Sequence, residues 1–288
     1  MKSYIDLHLH TCFSDGEDTP KQLLNNIIKN NVKFFSITDH DTIKGNIDFN
    51  TFENKELLTK NNITYVTGIE ISSTCIGTDI HILGLNYDIN SPSMIALADK
   101  SEKMRKHKAL IRIDYIKNVM KINLSQKSID YLKNLTICAK PHFAKCFVDD
   151  GFADNIIDAL STMTKDFPDV PCTLNADYSI STILASKGIP VWAHPLGGIN
   201  EPRLSKETFI NVLEKLIEYG LKGLECYYSL YSKDEIDFLT SIAKKYGLFI
   251  SAGSDYHGKN VKKVSIGEVS AEDIDIKFDD INIIKNFK

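Results

Sequence analysis

The first predicted strand of the chain alternates apolar and ionisable side chains with the period of an extended backbone. Between Ser3 and Thr11, one face carries three apolar residues and the other carries Asp6, His8 and His10. Two imidazoles two positions apart can bind one divalent ion, and Asp6 is close enough to orient one of them. The loop that follows adds the carboxylate of Asp15. On its own, this pattern leaves open a plain strand edge with two solvated histidines.

Strands and helices then alternate along most of the chain, as they do in α/β proteins. Apolar runs predict further strands at 33–38, 63–69, 80–85, 189–193, 221–225 and 248–251. Helical spacing predicts helices from Thr19-Pro20 onwards, before Lys60, and at 179–187, 206–219 and 234–246. Gly77 marks the turn of a hairpin between the third and fourth strands. The order of elements favours a barrel of largely parallel strands.

Ionisable side chains recur where these strands end. The residues at or just beyond a predicted strand end are His10, Asp15, His40, Glu70, His194, Asp255 and His257. In α/β barrels, the carboxyl ends of the strands carry the catalytic groups. Histidine and carboxylate without thiolate form a ligand set that suits manganese, iron or zinc, and a set this large predicts two or more ions.

The composition excludes several classes of protein. The 288 residues are 43% hydrophobic and 25% charged, as in ordinary globular proteins. A net charge of −4 predicts no general attraction to nucleic acid or anionic membranes. Six cysteines without a CxxC pair favour free thiols. No stretch reaches the roughly 18 apolar residues of a membrane helix, and the N-terminus does not read as a signal peptide, so we expect a cytoplasmic protein.

The alternation of strand and helix lapses between Pro92 and about Asp169, where the spacing predicts helices only. We therefore expect a barrel formed by residues 1–91 and 170–288, with a helical insertion lobe at 92–169. A basic run in the lobe contains Arg105 and Arg112, which are seven positions apart and so share one side of a helix. These two arginines either contact substrate phosphate or lie on a solvated helix face.

Taken in order, the polar motifs resemble those of the PHP family of metal-dependent phosphoesterases, named after polymerase and histidinol phosphatase. The matching segments are Asp6-x-His8-x-His10, Ser14-Asp15-Gly16, Thr38-Asp39-His40-Asp41, Gly68-Ile69-Glu70, His81, Pro141-His142, Ala193-His194-Pro195 and Gly253-Ser254-Asp255-x-His257-Gly258. The helical insertion resembles that of small phosphoesterases that act on nucleotides and short RNA ends. The resemblance implies a distorted (β/α)7 TIM-like barrel, the PHP fold, with an inserted helical lobe.

The resemblance also implies two or three divalent ions, of manganese, iron or zinc. The expected ligands fall into one group for each ion: His8, His10 and Asp255 for the first, with Glu70 bridging to a neighbour; Asp15, His40 and His257 for the second; and Glu70, His81 and His142 for the third. A hydroxide that bridges the ions would attack phosphorus, while the ions neutralise the phosphoryl oxygens.

The remaining expected site residues concern the substrate. His194 would bind a phosphate oxygen or protonate the leaving oxygen, because the family scheme already fills the metal positions. His194 and Asp255 are therefore the residues expected to act in catalysis. Many family members have Arg where this chain has Lys140, before Pro141-His142. Lysine lacks the two-pronged guanidinium, so we expect phosphate affinity or substrate preference to differ from that of relatives.

The expected reaction is hydrolysis of phosphomonoesters of nucleotides, including 3′,5′-bisphosphate nucleotides, or of the 5′ ends of short RNA. Neither a membrane nor long duplex nucleic acid is expected as a partner. The alternatives are a histidinol-phosphate phosphatase and a catalytically silent PHP module that binds metal for a partner, which the complete ligand set disfavours. An amidohydrolase-type C–N hydrolase would show a different strand-end pattern. Near the rim, Tyr227, Tyr228 and Tyr231 either stack on a base or cap the barrel.

Overall fold

One sheet organises the computed structural model, which describes residues 3–163, 167–199, 201–258 and 264–287. Its strands are β1 (Ile5–Leu9), β2 (Phe34–Ile37), β3 (Thr64–Cys75), β4 (Thr78–Leu85), β5 (Leu174–Asn175), β6 (Ile189–Trp192), β7 (Gly223–Tyr228) and β8 (Phe249–Gly253). Seven of them pair in the order β1-β2-β3-β4-β6-β7-β8, and the short β5 pairs with β3.

The sheet curls until its two edges meet. Leu9 bridges to Tyr256, and the backbone N–H of Asp255 donates to the carbonyl of His8 at 2.9 Å. Strand β4 runs antiparallel to β3 and β6, while the other pairs along the seven-strand path are parallel. The result is a nearly closed seven-stranded barrel, which confirms the predicted distorted (β/α)7 fold.

The helices pack around this barrel or extend from it. They are α1 (Pro20–Lys29), α2 (Lys44–Phe49), α3 (Phe52–Asn61), α4 (Pro92–Asn118), α5 (Gln126–Asn134), α6 (Lys140–Asp149), α7 (Ile156–Thr162), α8 (Ala176–Ala185), α9 (Lys206–Tyr219) and α10 (Lys233–Tyr246). Their ends follow local sequence: Thr19 caps α1 by accepting the N–H of Gln22, and α9 ends at Gly220, whose φ of 103° favours glycine. Within the described residues, no helix is long and apolar enough to cross a membrane.

Helices α4 to α7 lie in the stretch that is predicted to form the insertion lobe. The second half of α4 and helices α5 to α7 share a hydrophobic cluster that includes Phe143, Phe147 and Ala159 and is separate from the barrel clusters. Met94 and Leu97, near the start of α4, pack instead in the core of the barrel. The first of these helices, α4, runs without interruption from Pro92 to Asn118, whereas α6 and α7 are separated by a turn that contains Gly151, whose φ is 78°. The predicted division of the chain at residues 92 and 169 stays a prediction.

Strand β3 is longer than its sequence predicted. The apolar run suggested a strand that ends before Glu70, but β3 continues to Cys75 because its second half pairs with β4 in a hairpin. Glu70 therefore lies inside a strand rather than at its end. Its side chain has no exposed surface, and it faces the interior of the barrel mouth.

Candidate metal centre

The carboxylate of Glu70 lies at the centre of the site, with ring nitrogens of five histidines within 3.2 Å of it. The separations are 3.2 Å to Nε2 of His8, 3.2 Å to Nε2 of His10, 2.9 Å to Nδ1 of His40, 2.9 Å to Nδ1 of His81 and 3.1 Å to Nε2 of His194. His8 lies on β1 and His10 directly follows it, His81 lies on β4, and His40 and His194 follow β2 and β6. Carboxylates in such a position can bridge neighbouring cations.

The segment after β8 and the loop after β1 complete the cluster. Oδ1 of Asp255 lies 3.3 Å from Nε2 of His10, and Oδ1 of Asp15 lies 3.1 Å from Nε2 of His257. Asp15 also faces His40, with 3.8 Å between Oδ1 and Nε2. The closure of the sheet between β1 and β8 thus joins ligands from opposite ends of the described chain.

Several of these buried atoms face one another closely but form no hydrogen bond of acceptable geometry with the described residues. The site atoms in this condition are Nε2 of His8, His10 and His257, Nδ1 of His40, Oδ1 of Asp15 and Oε2 of Glu70. Buried polar atoms in proteins are nearly always satisfied, and each unsatisfied one costs about 1–3 kcal/mol. Imidazole nitrogens and carboxylate oxygens that converge on the same space have divalent cations as a common partner. The residues present therefore fit a metal centre.

The ligand atoms fall into four groups whose members lie within 4.8 Å of one another. The groups are His8, His10, Glu70 and Asp255; His10, Asp15, His40 and His257; His40, Glu70 and His81; and His81, His194 and Glu201. The first two contain the residues expected for the first and second ions. The third expected set differs, because the structure brings His81 to His194 and not to His142.

The charges in the centre are strongly coupled. Burial, together with His257 and His40, lowers the pKa of His10 to about 4. Burial alone would also lower the pKa of His40, but Glu70 and Asp15 raise it to about 9. Burial would raise the pKa of Glu70, yet the facing His40 and His8 hold it well below its usual range. Without metal the cluster thus mixes protonated and neutral imidazoles, so that an ion displaces protons when it binds.

Two carboxylates that the sequence analysis did not single out hold the histidine rings. Oε1 of Glu225 contacts Nδ1 of His8 at 3.0 Å, and its Oε2 accepts the backbone N–H of His194 at 2.7 Å. Oε2 of Glu201 lies 3.2 Å from Nδ1 of His194. Such partners fix which ring nitrogen faces the metal. The only sequence signal for Glu225 was a lone carboxylate inside an otherwise uncharged strand.

Asp6 has a different role from the one expected. It does not orient an imidazole ring; it accepts hydrogen bonds from the N–H and hydroxyl of Ser254, at 2.9 and 2.7 Å, and from the N–H of Gly267 at 2.7 Å. Burial raises its pKa to about 6, against the effect of these donors. Asp6 thereby anchors the segment that carries Asp255.

The tyrosines near the rim support the site from within the barrel. Tyr228 is buried and its hydroxyl donates to Oδ2 of Asp255 at 2.8 Å, while the hydroxyl of buried Tyr231 accepts from the N–H of Leu196. Tyr227 is only 9% exposed. Of the two alternatives, these contacts favour capping the barrel over stacking on a base.

Three residues of the site have a strained backbone conformation. Asp41, His194 and Asp255 have φ angles of 55°, 28° and 58°, in the left-handed region that non-glycine residues rarely adopt. Residues are held in such conformations mainly at functional sites, where surrounding contacts determine them. Each of the three is a candidate ligand or directly follows one.

The lobe residues expected to meet substrate occupy different environments. His142 stands at the start of α6, where its Nδ1 accepts the N–H of Ala139 at 3.0 Å, and it belongs to none of the four ligand groups that the described residues form. Lys140 is exposed. Arg112 is 4% exposed, donates to the carbonyl of Pro168 and packs near Phe167, so it is not placed to meet substrate. Arg105 is bound to Asp41.

Two clefts open onto the cluster and share His81, His194 and Glu201. The larger, of 740 Å³, is also bounded by Asp15, His40, Glu70, His142, Lys145 and Asp255 and has an apolar wall of Pro141, Ile156, Leu160 and Ile199. The smaller, of 540 Å³, includes Arg105, Lys108 and Trp192. The lobe therefore forms part of the wall around the metal centre.

The barrel carries at its rim a buried cluster of histidines and carboxylates that fits metal and lies beside an open cleft. Such an arrangement is typical of metal-dependent hydrolases. The family model of the PHP domain matches residues 6–176, more than half of the chain. The chain belongs to the PHP domain family.

Curated relatives match over most of the chain. It is 30% identical over 268 residues to the 5′-3′ exoribonuclease of Haemophilus influenzae, which covers 89% of this chain and 91% of that protein. It is 25% identical to the phosphoribosyl 1,2-cyclic phosphate 1,2-diphosphodiesterase of Eggerthella lenta, over 88% of this chain and 94% of that protein. The 3′,5′-nucleoside bisphosphate phosphatase of Chromobacterium violaceum is 24% identical, over 88% of this chain and 87% of that protein.

Solved structures share the fold. A Bifidobacterium adolescentis protein, provisionally assigned as a metal-dependent phosphoesterase, superposes with a TM-score of 0.78 at 23% identity, over 98% of this chain and 94% of that one. A Chromobacterium violaceum protein named as an amidohydrolase, with bound sulfate and no metal, has a TM-score of 0.76 at 22% identity, over 92% and 90% of the two chains. Together with the family and the curated relatives, this confirms that the chain is an enzyme, a phosphoesterase with the PHP fold.

Proposed function

We propose that this chain hydrolyses phosphate esters of nucleotides, either phosphomonoesters such as 3′,5′-bisphosphate nucleotides or the 5′ ends of short RNA. The observation that carries the proposal is the set of unsatisfied buried atoms around Glu70, beside the 740 Å³ cleft that Asp15, His40 and Glu70 help to line. The names of the Haemophilus influenzae and Chromobacterium violaceum relatives support these substrate classes.

For the cofactor we propose two or three ions of manganese, iron or zinc. His8, His10 and Asp255 would hold the first and Asp15, His40 and His257 the second, with Glu70 shared between neighbouring ions. For a third ion, Glu70, His81 and His194 are the better set, because Nε2 of His194 lies 3.3 Å from Nδ1 of His81 and 3.1 Å from Oε1 of Glu70. In this assignment His142 would contact substrate and not metal.

Bound ions would neutralise phosphate charge, activate a water molecule as nucleophile and stabilise the departing oxygen. The protein's own groups prepare this chemistry. Glu225 and Glu201 hold the rings of His8 and His194, and Tyr228 holds Asp255, so that little reorganisation is needed when substrate arrives. Burial of His8, His10 and Glu70 keeps bulk water away from these groups and strengthens their electrostatic contacts.

The cleft suits a nucleotide. A phosphate group placed at the metal cluster leaves the rest of the substrate beside the apolar wall of Pro141, Ile156, Leu160 and Ile199. Apolar side chains can hold the face of any base without reading its edges. His142 and Lys145 line the same cleft, and Lys145 would exchange its exposed partner Asp149 for a second phosphate.

We also propose that the protein works in the cytoplasm on small phosphorylated substrates and not at a membrane. None of its six cysteines is paired, as is usual in reducing compartments. Fractionation of cells into soluble and membrane pools, with the protein followed by its own antibody, tests this assignment.

The decisive experiment measures phosphate release after metal-free protein is reconstituted with Mn²⁺. The substrates are AMP, a 3′,5′-bisphosphate nucleotide, histidinol phosphate and a short 5′-phosphorylated RNA. We expect metal-dependent turnover of the bisphosphate nucleotide or the RNA, and its loss in Glu70→Gln. Turnover of histidinol phosphate alone, or stoichiometric metal without turnover of any of the four, would overturn the proposal.

A further inference from the structure

An arginine of the insertion lobe reaches into the barrel beside the metal centre. Nε of Arg105, on α4, donates to Oδ2 of Asp41 at 2.9 Å, and its Nη2 also donates to that oxygen. The same Nη2 donates to Oγ of Ser72 at 2.8 Å. The arginine side chain is 16% exposed and that of Asp41 is 1% exposed. This contact between lobe and barrel, formed by Arg105, Asp41 and Ser72, is the lobe clasp.

Both barrel residues of the lobe clasp lie next to central ligands. Asp41 directly follows His40, and its backbone N–H donates to the carbonyl of Glu70 at 2.8 Å. Ser72 is two positions after Glu70 in β3, and its backbone N–H donates to Oδ1 of Asp41 at 2.9 Å. Asp41 therefore joins the segment that carries His40 to the strand that carries Glu70. The carboxylate of Glu70 and the ring of His40 face each other at 2.9 Å.

The arginine supplies a charge that this arrangement needs. Asp41 holds its backbone in the left-handed region while its carboxylate is buried, and it directly follows His40, which faces the carboxylates of Asp15 and Glu70. Removing the partner of a buried ion pair leaves the other charge uncompensated, which is strongly unfavourable. Without Arg105, the uncompensated carboxylate of Asp41 would rotate towards solvent and lose its hydrogen bond to Ser72. The segment that carries His40 would then be held less firmly against the strand that carries Glu70.

We propose that Arg105 is a positioning residue, through which docking of the insertion lobe sets the geometry of His40 and Glu70 and thereby the metal affinity of the barrel. The inference rests on the proposed assignment of these two residues as ligands but not on the proposed substrate. It replaces a direct phosphate contact as the role of Arg105. The lobe then contributes to the metal centre without providing a ligand through this residue.

The chain offers a matched control. A second ion pair connects α4 to the barrel, with Nζ of Lys44 2.9 Å from Oε2 of Glu102. Lys44 also donates to Oγ1 of Thr136 in the lobe. Lys44→Met thus removes the second ion pair between lobe and barrel and leaves the contacts of Asp41 and Ser72 in place. A general effect of lobe docking on stability should appear in both variants, whereas an effect on ligand geometry should appear only at the lobe clasp.

The experiment compares Arg105→Gln, Arg105→Lys and Lys44→Met in the full chain. Calorimetric titration of metal-free protein with Mn²⁺ gives the number of ions and their affinities, and thermal unfolding of the same samples gives Tm. We expect Arg105→Gln to lower the affinity for the ion that depends most on His40 and Glu70 by about 10-fold or more. Arg105→Lys should restore part of this affinity, since it keeps the charge but not the three-bond geometry. The Mn²⁺ affinity of Lys44→Met should stay within about twofold of that of the parent protein.

Two results would overturn the inference. One is a lower Tm in Arg105→Gln with unchanged metal affinity, which indicates a purely structural pair. The other is unchanged metal affinity with a raised KM for a nucleotide, which indicates a phosphate contact. Should Arg105→Gln fail to fold, Arg105→Lys decides the question by the same two readouts. Weakened metal binding in a protein that turns over no nucleotide would sustain this inference and sink the proposed function.

Discussion

Oε1 of Glu225 lies 3.0 Å from Nδ1 of His8, and both side chains are completely buried. Because Nδ1 is engaged, Nε2 of the same ring is directed at Glu70, 3.2 Å away. The other oxygen of Glu225 holds the backbone of His194. One carboxylate on β7 therefore orients a ring from β1 and a strained residue after β6.

Replacing Glu225 with glutamine should weaken metal binding by about 10- to 100-fold, because the amide cannot balance a partial positive charge on the ring of His8. Metal content after dialysis against a graded chelator series measures the loss. Glu218→Gln, at an exposed pair with Lys215 on α9, is the control and should leave the titration unchanged. Equal metal content in the two variants would show that the contact does not orient His8.

His194→Ala and His142→Ala should separate a ligand from a substrate contact. His194 lies in a group with His81 and Glu201, and His142 lies in none formed by the described residues. We expect His194→Ala to lose one ion per chain, measured by elemental analysis, and His142→Ala to keep all ions while KM rises. Loss of an ion in His142→Ala, with full metal content in His194→Ala, would instead assign His142 as a ligand of the third ion.

Metal affinity should rise with pH until the protonated imidazoles of the metal-free cluster lose their protons, at about 9 to 10. Without metal, Glu70 and Asp15 raise the pKa of His40 to about 9, and Glu201 and Glu70 raise that of His194 to about 10, in each case against burial. An ion must displace these protons. Protonation of the same two rings also stabilises the metal-free protein, because their pKa values are higher in the folded than in the unfolded state. This stabilisation is complete below pH 6.5, the unfolded pKa, and is lost as pH rises through 9 to 10.

Proton release provides the measurement for this pH dependence. Mn²⁺ titrations in buffers of different ionisation enthalpy, at pH 7, should show net release of protons. A parallel series of Tm values for metal-free protein should decline above neutral pH. Metal binding that releases no protons at pH 7 would mean that the rings are already neutral.

Gly253→Ala should disturb the metal centre through packing alone. A Cβ at this position would lie 2.2 Å from Cβ of His8 and 2.5 Å from Oε1 of Glu225, so both must move. We expect a loss of about 1–3 kcal/mol in the free energy of unfolding, together with weaker metal binding. Gly223→Ala, in the neighbouring strand, meets nothing closer than 3.1 Å and should be milder. Denaturant unfolding with a chelator titration checks both variants.

Residues carried by short motifs could be predicted from the sequence because their placement depends on one strand and its end. His8 and His10 follow from the alternation of β1, and His40 follows from the position after β2. Glu225 and Glu201 could not be predicted, since their roles arise only where separate strands and loops meet. The spacing of residues in α4 suggested that Arg105 contacts phosphate or lies on a solvated face. The structure packs that face against the barrel, which spacing does not encode, and Arg105 pairs there with Asp41.

The union of β1 with the segment after β8 has a consequence for biosynthesis. Asp6 and Ser254, which hold the two sides of that union together, are 248 positions apart in the sequence. A ribosome exposes His8 and His10 long before it has made Asp255 and His257. The growing polypeptide can thus carry a paired imidazole motif but not the finished metal centre, and loading with the proper ions follows translation of the eighth strand.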